Sequence, residues 1–222
     1  MKTAYFWEQD QCFRHRDTLC IYRVITPRGK VGLAMLCAVK NQFYQEGRAI
    51  HEQTGELCED IICWFYHDLM ELVKKGRSRN CIKNSCLRAI SHSFSMIEER
   101  TGFGRNKFSL VLLLSIGKRL ILIKQGEGTI LITKYHRNRV LFKRFNNNEI
   151  TVLYQSWKQD TKVIMAGFPV NRFLTKEERN AVVNGKTFAK MQKNEKILKE
   201  VGMRAKIRGC KTSISMIGLL EE

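Results

Sequence analysis

The segment that decides the fold is 108–133, FSLVLLLSIGKRLILIKQGEGTILIT, because it holds the most strongly apolar runs of the chain. The runs Ser109–Ile116 and Leu120–Ile123 flank Gly117-Lys118-Arg119, and a Gly126-Glu127-Gly128 break precedes Thr129–Thr133. These runs lack polar alternation, which is typical of strands covered on both faces. The segment therefore predicts a central β-meander, with Gly126-Glu127-Gly128 as a tight turn.

The residues before this segment predict a hairpin and two helices. Thr18–Met35 contains two runs of strand formers around the turn sequence Thr26-Pro27-Arg28-Gly29-Lys30. Apolar residues recur at helical spacing over Gly55–Lys75, and a second helix is expected over about Asn80–Arg100.

The residues after it predict further strands and helices. Val140–Phe145 and Glu149–Leu153 flank an Asn146-Asn147-Asn148 turn, and Lys162–Ala166 reads as a buried strand. The expected elements that complete the chain are a capping box at 175–178, a helix over 186–201 and a strand over 212–220. Runs of strands alternate with runs of helices, so the fold class is α+β.

The charge of the chain is regional. The 222 residues carry a formal net charge of +18, yet residues 1–70 hold 8 Lys/Arg against 9 Asp/Glu, and residues 71–222 hold 31 against 12. Such a field attracts polyanions and also aids solubility, so composition alone does not choose a partner.

Length and hydropathy indicate one globular domain over 1–222 with no membrane span. The longest apolar stretch is interrupted by Gly117-Lys118-Arg119, and a membrane helix needs about 20 apolar residues. The N-terminus, with Lys2 and Glu8, lacks the apolar region of a signal peptide, so we expect a cytoplasmic protein.

The eight cysteines are interpreted as reduced thiols. None forms a Cys-x-x-Cys pair, and the Cys58/Cys63 and Cys81/Cys86 spacings match no common zinc finger. Cys37, Cys58 and Cys63 lie in apolar periodic segments, where a free cysteine usually behaves as a small core residue.

Several segments match one family in order and spacing. The segment 15–21, the Thr26-Pro27-Arg28-Gly29 turn and the strand Val31–Cys37 resemble the opening of bacterial type-2C, metal-dependent serine/threonine protein phosphatases. There the frame reads Asn-Gln/Glu-Asp-Ser, a hairpin, and a strand that ends in Asp-Gly-Met-Gly-Gly. Residues 110–127, 163–175 and 208–214 resemble the later family segments. The resemblance implies a four-layer α-β-β-α sandwich of two antiparallel sheets flanked by helices, with a flap region shortened to about 134–162.

The same resemblance implies that the family's catalytic centre is degenerate here. In that family carboxylates hold two Mg²⁺ or Mn²⁺ ions, which activate a water for attack on a phosphoester. Ala38-Val39 stands where the bridging Asp-Gly would be, Phe168 stands at the later Asp-Gly, and Gly209 stands at the last Asp. Arg16 replaces an acid, and only Asp17 and Glu127 keep carboxylates near the centre. We therefore expect no metal, no cofactor and no phosphatase activity.

The expected function is that of a pseudophosphatase, a catalytically inactive protein that regulates or scaffolds phospho-signalling by protein binding. Its partner would be a phosphatase, a kinase, a phosphoprotein or a second copy. One alternative is a nucleic-acid or other polyanion binder. It would use the basic stretch between 118 and 144, namely Lys118, Arg119, Lys134, Arg137, Arg139, Lys143 and Arg144. The other alternative is residual metal-dependent phosphatase activity around Asp17 and Glu127.

Overall fold

A computed structural model gives the architecture. It describes residues 2–8, 18–27, 29–40, 43, 48–134, 137–141, 149–156, 162–167, 170–178, 199–200, 202–210 and 214–220.

The first antiparallel sheet contains the hairpin and most of the apolar segment. Its strands are β2 (Thr18–Thr26), β3 (Gly29–Val39), β4 (Phe108–Ile116), β5 (Arg119–Gln125) and β8 (Thr151–Ser156), and they are hydrogen-bonded in the order β2-β3-β4-β5-β8. The predicted hairpin at Thr18–Met35 is confirmed, because Thr26 pairs with Gly29 and Thr18 with Cys37.

The second antiparallel sheet joins strands from both ends of the chain. It has the order β1-β10-β9-β6-β7, formed by β1 (Lys2–Glu8), β10 (Ile214–Leu220), β9 (Lys162–Ala166), β6 (Thr129–Lys134) and β7 (Arg137–Leu141). Lys2 pairs with Leu220 and Glu8 with Ile214, so the first strand docks on the last one.

Side-chain alternation along the first sheet divides the core in two. Odd-numbered β3 residues such as Leu33 and Met35 pack against the helices, whereas Ala34 and Leu36 pack toward the second sheet, where they meet Ile130 and Val163. Because successive strand residues point to opposite faces, a strand covered on both sides must be apolar throughout. This explains the nearly continuous apolar runs of β3 and β4.

Two long helices cover the outer face of the first sheet. They are α1 (Arg48–Trp64), which continues through one π-helical turn (Phe65–Leu69) into α2 (Met70–Lys74), and α3 (Arg79–Thr101). The expected start of the first helix at Gly55 is wrong by seven residues. Buried Ile50 and Thr54 extend its packed face by two turns, and the Thr54 hydroxyl lies 2.9 Å from that of Thr18.

The second helix agrees with its prediction within about a residue, because both of its ends are capped. The Ser78 hydroxyl accepts a hydrogen bond from the Cys81 amide at 3.2 Å. Gly102, at φ +72°, donates its amide to the Glu98 carbonyl at 2.8 Å.

The predicted three-stranded meander is wrong at its third strand. β4 and β5 pair as expected, but β6 pairs with β7 and β9 in the other sheet. The chain therefore crosses between sheets at Gly126-Glu127-Gly128. Gly126 has φ +76°, and a Cβ there would lie 2.5 Å from the Phe108 carbonyl oxygen. A Cβ on Gly128 would lie 2.3 Å from a Val111 methyl carbon, so the crossing requires both glycines.

Three smaller predictions concern the Asn146-Asn147-Asn148 turn, the capping box and the cysteines. β7 and β8 fall in different sheets on either side of the Asn146-Asn147-Asn148 segment, which lies outside the described residues together with most of 186–201. The capping box is confirmed by reciprocal bonds between Thr175 and Glu178 of 2.8 and 3.2 Å. Cys37 and Cys58 are buried as expected, but Cys63 is exposed on α1.

Short helical segments lie between β9 and β10 along the chain, at α4 (Val170–Phe173), 176–178 and 202–207. Among the described helices, none is long and apolar enough to cross a membrane. The single-domain boundary and the shortened segment around 134–162 stay predictions.

Candidate functional site: two buried lysines at the end of the sandwich

The candidate site lies where β3, β4, the β5–β6 crossing and β9 meet. Ala38 pairs with Ser109, and the Lys40 amide donates to the Lys107 carbonyl at 2.8 Å just beyond that pair. The Glu127 amide donates to the Ser109 hydroxyl oxygen at 2.8 Å. A Cβ on Gly128 would lie 3.1 Å from the Ala166 carbonyl, so the end of β9 adjoins the same point.

Two lysines are buried at this point. Lys40 follows β3 and is 4% exposed, and Lys124 in β5 is 7% exposed. Lys124 follows Leu120 and Leu122 at two-residue spacing, and both leucines belong to the core between the sheets. Its aliphatic stem therefore continues that inner face toward the end of the sandwich.

The electrostatics of the two lysines are linked through Glu127. Burial lowers the pKa of Lys40 below its usual value, and the Glu127 carboxylate acts in the opposite direction. Burial also lowers the pKa of Lys124, where Glu127 opposes the shift and the Lys40 ammonium adds to it. We call these three residues, Lys40, Lys124 and Glu127, the lysine centre.

The lysine centre has the wrong chemistry for a divalent metal. Mg²⁺ and Mn²⁺ are held by carboxylate and carbonyl oxygens, and ammonium groups offer no lone pair. Within the described residues no group of three or more His, Cys, Asp or Glu side chains is placed to hold a metal ion. The described residues around Glu127 therefore do not fit the binuclear metal centre of the family that the sequence resembles.

The structure brings together only part of the expected site. Ala38 and Glu127 lie at the sandwich end, whereas the neighbouring Val39 points into the core under the helices. Gly209 is exposed, with φ +86° and no atom within 4 Å of a Cβ placed there. Arg16, Asp17 and Phe168 lie outside the described residues.

Lys124 was missed as a site residue because it lies in a stretch of many basic residues. The signal that could have found it is its two-residue spacing from Leu120 and Leu122, which places it on the inner face of a strand covered on both sides. Lys40 lies two residues after Ala38, next to a position that the family resemblance does identify.

The proposed polyanion-binding set is divided between the two sheets. Lys118 and Arg119 are exposed at the β4–β5 turn of the first sheet, at the opposite end of β5 from Glu127. Lys134, Arg137 and Arg139 belong to the β6–β7 pair of the second sheet, and Lys143 and Arg144 lie outside the described residues. The described part of the chain thus gives no specific support to a nucleic-acid surface.

Comparison with known proteins identifies the fold. No protein-family model and no curated protein matches the chain. The serine/threonine phosphatase PstP/Ppp of Mycobacterium tuberculosis is similar in structure, with TM-score 0.66, 11% identity and coverage of 100% of this chain and 99% of that one.

Two further solved structures are similar over nearly the whole chain. The S. agalactiae serine/threonine phosphatase gives TM-score 0.69 at 13% identity, covering 99% of both chains. PppA of Pseudomonas aeruginosa, described as a key regulatory component of T6SS, gives TM-score 0.63 at 9% identity, covering 98% of this chain and 96% of that one. The chain therefore has the α+β fold of bacterial type-2C phosphatases, with its two antiparallel sheets and flanking helices.

Proposed function

We propose that this protein is a catalytically inactive type-2C phosphatase-like protein that acts by protein–protein interaction in phospho-signalling. Its partner is a phosphatase, a kinase or a phosphoprotein, or a second copy of the chain. The proposal takes residues 1–222 as one domain with a shortened flap around 134–162, located in the cytoplasm and working without a cofactor.

The lysine centre carries this proposal. Each ammonium group repels a divalent cation and offers it no lone pair, and the two positive charges outweigh the negative charge of Glu127 beside them. Within the part of the chain that the structure describes, Glu127 is the carboxylate that acts on both lysines, whereas a binuclear site needs several anionic oxygens. The family resemblance, which sets Ala38 at the position of the bridging aspartate, supports the same conclusion from the sequence.

A neighbour of the same fold supports the regulatory half of the proposal. The P. aeruginosa protein is described as a regulatory component. Fold alone does not transfer that role, so the protein-binding function is a hypothesis that must be tested on this chain.

The decisive experiment measures metal binding and catalysis on the same preparation. We expect no hydrolysis of p-nitrophenyl phosphate above the blank with Mn²⁺ or Mg²⁺, and no metal-dependent rise in Tm, whereas an active type-2C phosphatase serves as the positive control. Manganese-dependent hydrolysis that disappears in Glu127→Gln would overturn the proposal. Thermal unfolding of that variant confirms that it is folded in the assay.

The binding half is tested by retention of a partner at low and high salt. A protein held through an apolar interface stays bound as salt rises, because rim charges mainly tune the association rate. Binding to oligonucleotides that falls steeply with salt would instead favour the polyanion-binding alternative.

A further inference from the structure

A groove runs between α1 and α3 on the outside of the helical layer, and none of its lining residues belongs to the lysine centre. It has a volume of about 770 Å³. Its walls carry the carboxylates of Glu56, Glu59, Asp60 and Asp68, and Arg100 is the one arginine or lysine among the described residues that line it. We call it the acidic groove, and it contrasts with a chain whose net charge is +18.

Three of the four carboxylates are available to a cation from outside. Arg100 forms an ion pair with Glu56 and also donates a hydrogen bond to the Gln53 side-chain oxygen at 3.2 Å. Its positive charge therefore neutralises Glu56 at one end of the groove. Glu59, Asp60 and Asp68 are exposed and form no ion pair within the described residues. The groove thus keeps a surplus of negative charge along most of its length.

The floor of the groove is apolar. Trp64 is 5% exposed, and its indole N–H donates to the Ser85 hydroxyl oxygen at 2.9 Å, which fixes the ring below the groove. Met96 is 50% exposed beside it. A thioether adapts to partners of different shape, so Met96 offers a place for an apolar side chain of a ligand.

The π-helical turn at Phe65–Leu69 shapes one wall. Phe65 and Leu69 are both fully buried, and the three residues between them are exposed. Two of these, His67 and Asp68, line the groove. Turns of this kind inside α-helices occur frequently at functional sites, because they reorient side chains that a regular helix would direct elsewhere.

We propose that the acidic groove binds a basic, amphipathic segment of a partner protein, with lysine or arginine against Glu59, Asp60 and Asp68 and an apolar side chain on Met96 and Trp64. From Glu56 to Asp68 the helix advances about 18 Å, the length of a helical segment of about 12 residues. The charges that act on the bound segment are mainly those of the groove itself. At physiological salt the Debye length is about 8 Å, so charges farther away on the chain are largely screened.

The occupant is assigned to a partner protein because the charge and the apolar face of such a segment complement the groove. A second copy, whose residues 71–222 also carry a net positive charge, is the competing occupant and is tested below by self-association. This inference depends on the protein-binding half of the proposed function and is independent of whether the lysine centre lacks activity.

The test uses the full chain and a fluorescein-labelled synthetic peptide of about 12 residues, with leucine on one helical face and lysine on the other. A peptide with glutamate in place of lysine is the matched control. Fluorescence anisotropy should show binding of the first peptide only. The double variant Asp60→Lys with Asp68→Lys should weaken it about tenfold, equal to about 1.4 kcal/mol.

A second double variant changes the net charge equally outside the groove. Glu99 and Glu149 are exposed and do not line it, so Glu99→Lys with Glu149→Lys should reduce affinity less than twofold. Equal losses in both double variants, or no binding of the lysine peptide to the wild type, would overturn the inference. Self-association of the wild type that is lost only in the groove variant would also overturn it, because the occupant would then be a second copy.

The outcomes separate this inference from the proposed function. Loss of peptide binding leaves the metal and hydrolysis measurements unchanged. Manganese-dependent hydrolysis would overturn the inactive centre and leave the groove inference in place. Met96→Ala should weaken the lysine peptide by about threefold, whereas the exposed Met203→Ala should not change it.

Discussion

The lysine centre and the acidic groove hold charge in opposite ways. In the lysine centre two cations are almost fully removed from water beside the Glu127 carboxylate, whereas in the groove three carboxylates remain in water. Burial of a charge costs free energy that must be offset inside the protein, but a solvated charge costs little and stays available to a ligand. Substitutions in the centre should therefore change stability, and substitutions in the groove should change binding.

The largest expected effect comes from Gly126→Ala, which would break the crossing that places Glu127 in the centre. The new Cβ would lie 2.5 Å from the Phe108 carbonyl oxygen on a backbone at φ +76°. Overpacking and backbone strain together should lower the free energy of unfolding by about 3 to 5 kcal/mol. Urea denaturation followed by circular dichroism measures the loss.

Gly117→Ala is the matched control for this substitution. Gly117 also has a positive φ of +54°, but no atom lies within 4 Å of a Cβ placed there. Its loss should be about 1 kcal/mol, from backbone strain alone. Similar losses at Gly117 and Gly126 would show that close packing at the crossing does not matter.

A medium effect is expected from Glu127→Gln, which removes the charge that opposes the two ammonium groups. We expect a loss of about 2 kcal/mol, less than the 3 to 5 typical of fully buried pairs, because Glu127 is partly exposed. The double variant Glu127→Gln with Lys124→Met should recover at least half of that loss in a double-mutant cycle. A loss below about 0.5 kcal/mol would show that the carboxylate is not coupled to the lysines.

The smallest expected effect is on the pH dependence of stability, through the buried Lys124. The pKa of Lys124 is lowered in the folded state, mainly by burial, so between that value and 10.5 the unfolded chain binds more protons. Stability contributed by this lysine therefore rises with pH in that window. Lys124→Met should flatten this rise on the acidic side of pH 10.5, whereas Lys118→Met, an exposed control, should leave it unchanged.

The buried thiols change the pH dependence of stability in the opposite direction. Their contribution must cancel when the Lys124 and Lys118 variants are compared. Burial raises the pKa values of Cys58 and Cys86, so stability falls with pH as the thiols of the unfolded chain ionise. Both variants contain these thiols, so the difference between their unfolding free energies reports Lys124. Identical pH profiles would contradict the electrostatic role of this lysine.

Local patterns predicted β9 and the strands of the first sheet well, because these are strongly apolar. They missed β1 and began β7 three residues too late, because neither of these two is a strongly apolar run. The β2–β3 hairpin and Lys162–Ala166 were found because strand formers are bounded there by turn residues or charges. Sheet membership was not predictable in the same way. The transfer of β6 to the second sheet depends on backbone contacts of Gly126 and Gly128 with distant strands, which no local pattern contains.

The sequence predicted where the candidate site lies, but it did not predict which residues form it. The family resemblance led to Ala38 and Glu127, which the structure places together, but basic side chains were treated as surface groups. The acidic groove was missed because Gly55–Lys75 was interpreted only through its apolar helical face. The spacing of Glu56, Asp60 and Cys63 by three to four residues does mark a second shared face, but the facing wall belongs to α3 and is set by tertiary packing.

The pairing of β1 with β10 has a consequence for synthesis on the ribosome. All five strands of the first sheet are complete once Ser156 has been made, whereas the second sheet must wait for Leu220 before its oldest strand can dock. At 5 to 20 residues per second this interval lasts roughly 3 to 13 s. During that time the nascent chain exposes one apolar side of the finished sheet, so chaperone binding should concentrate there.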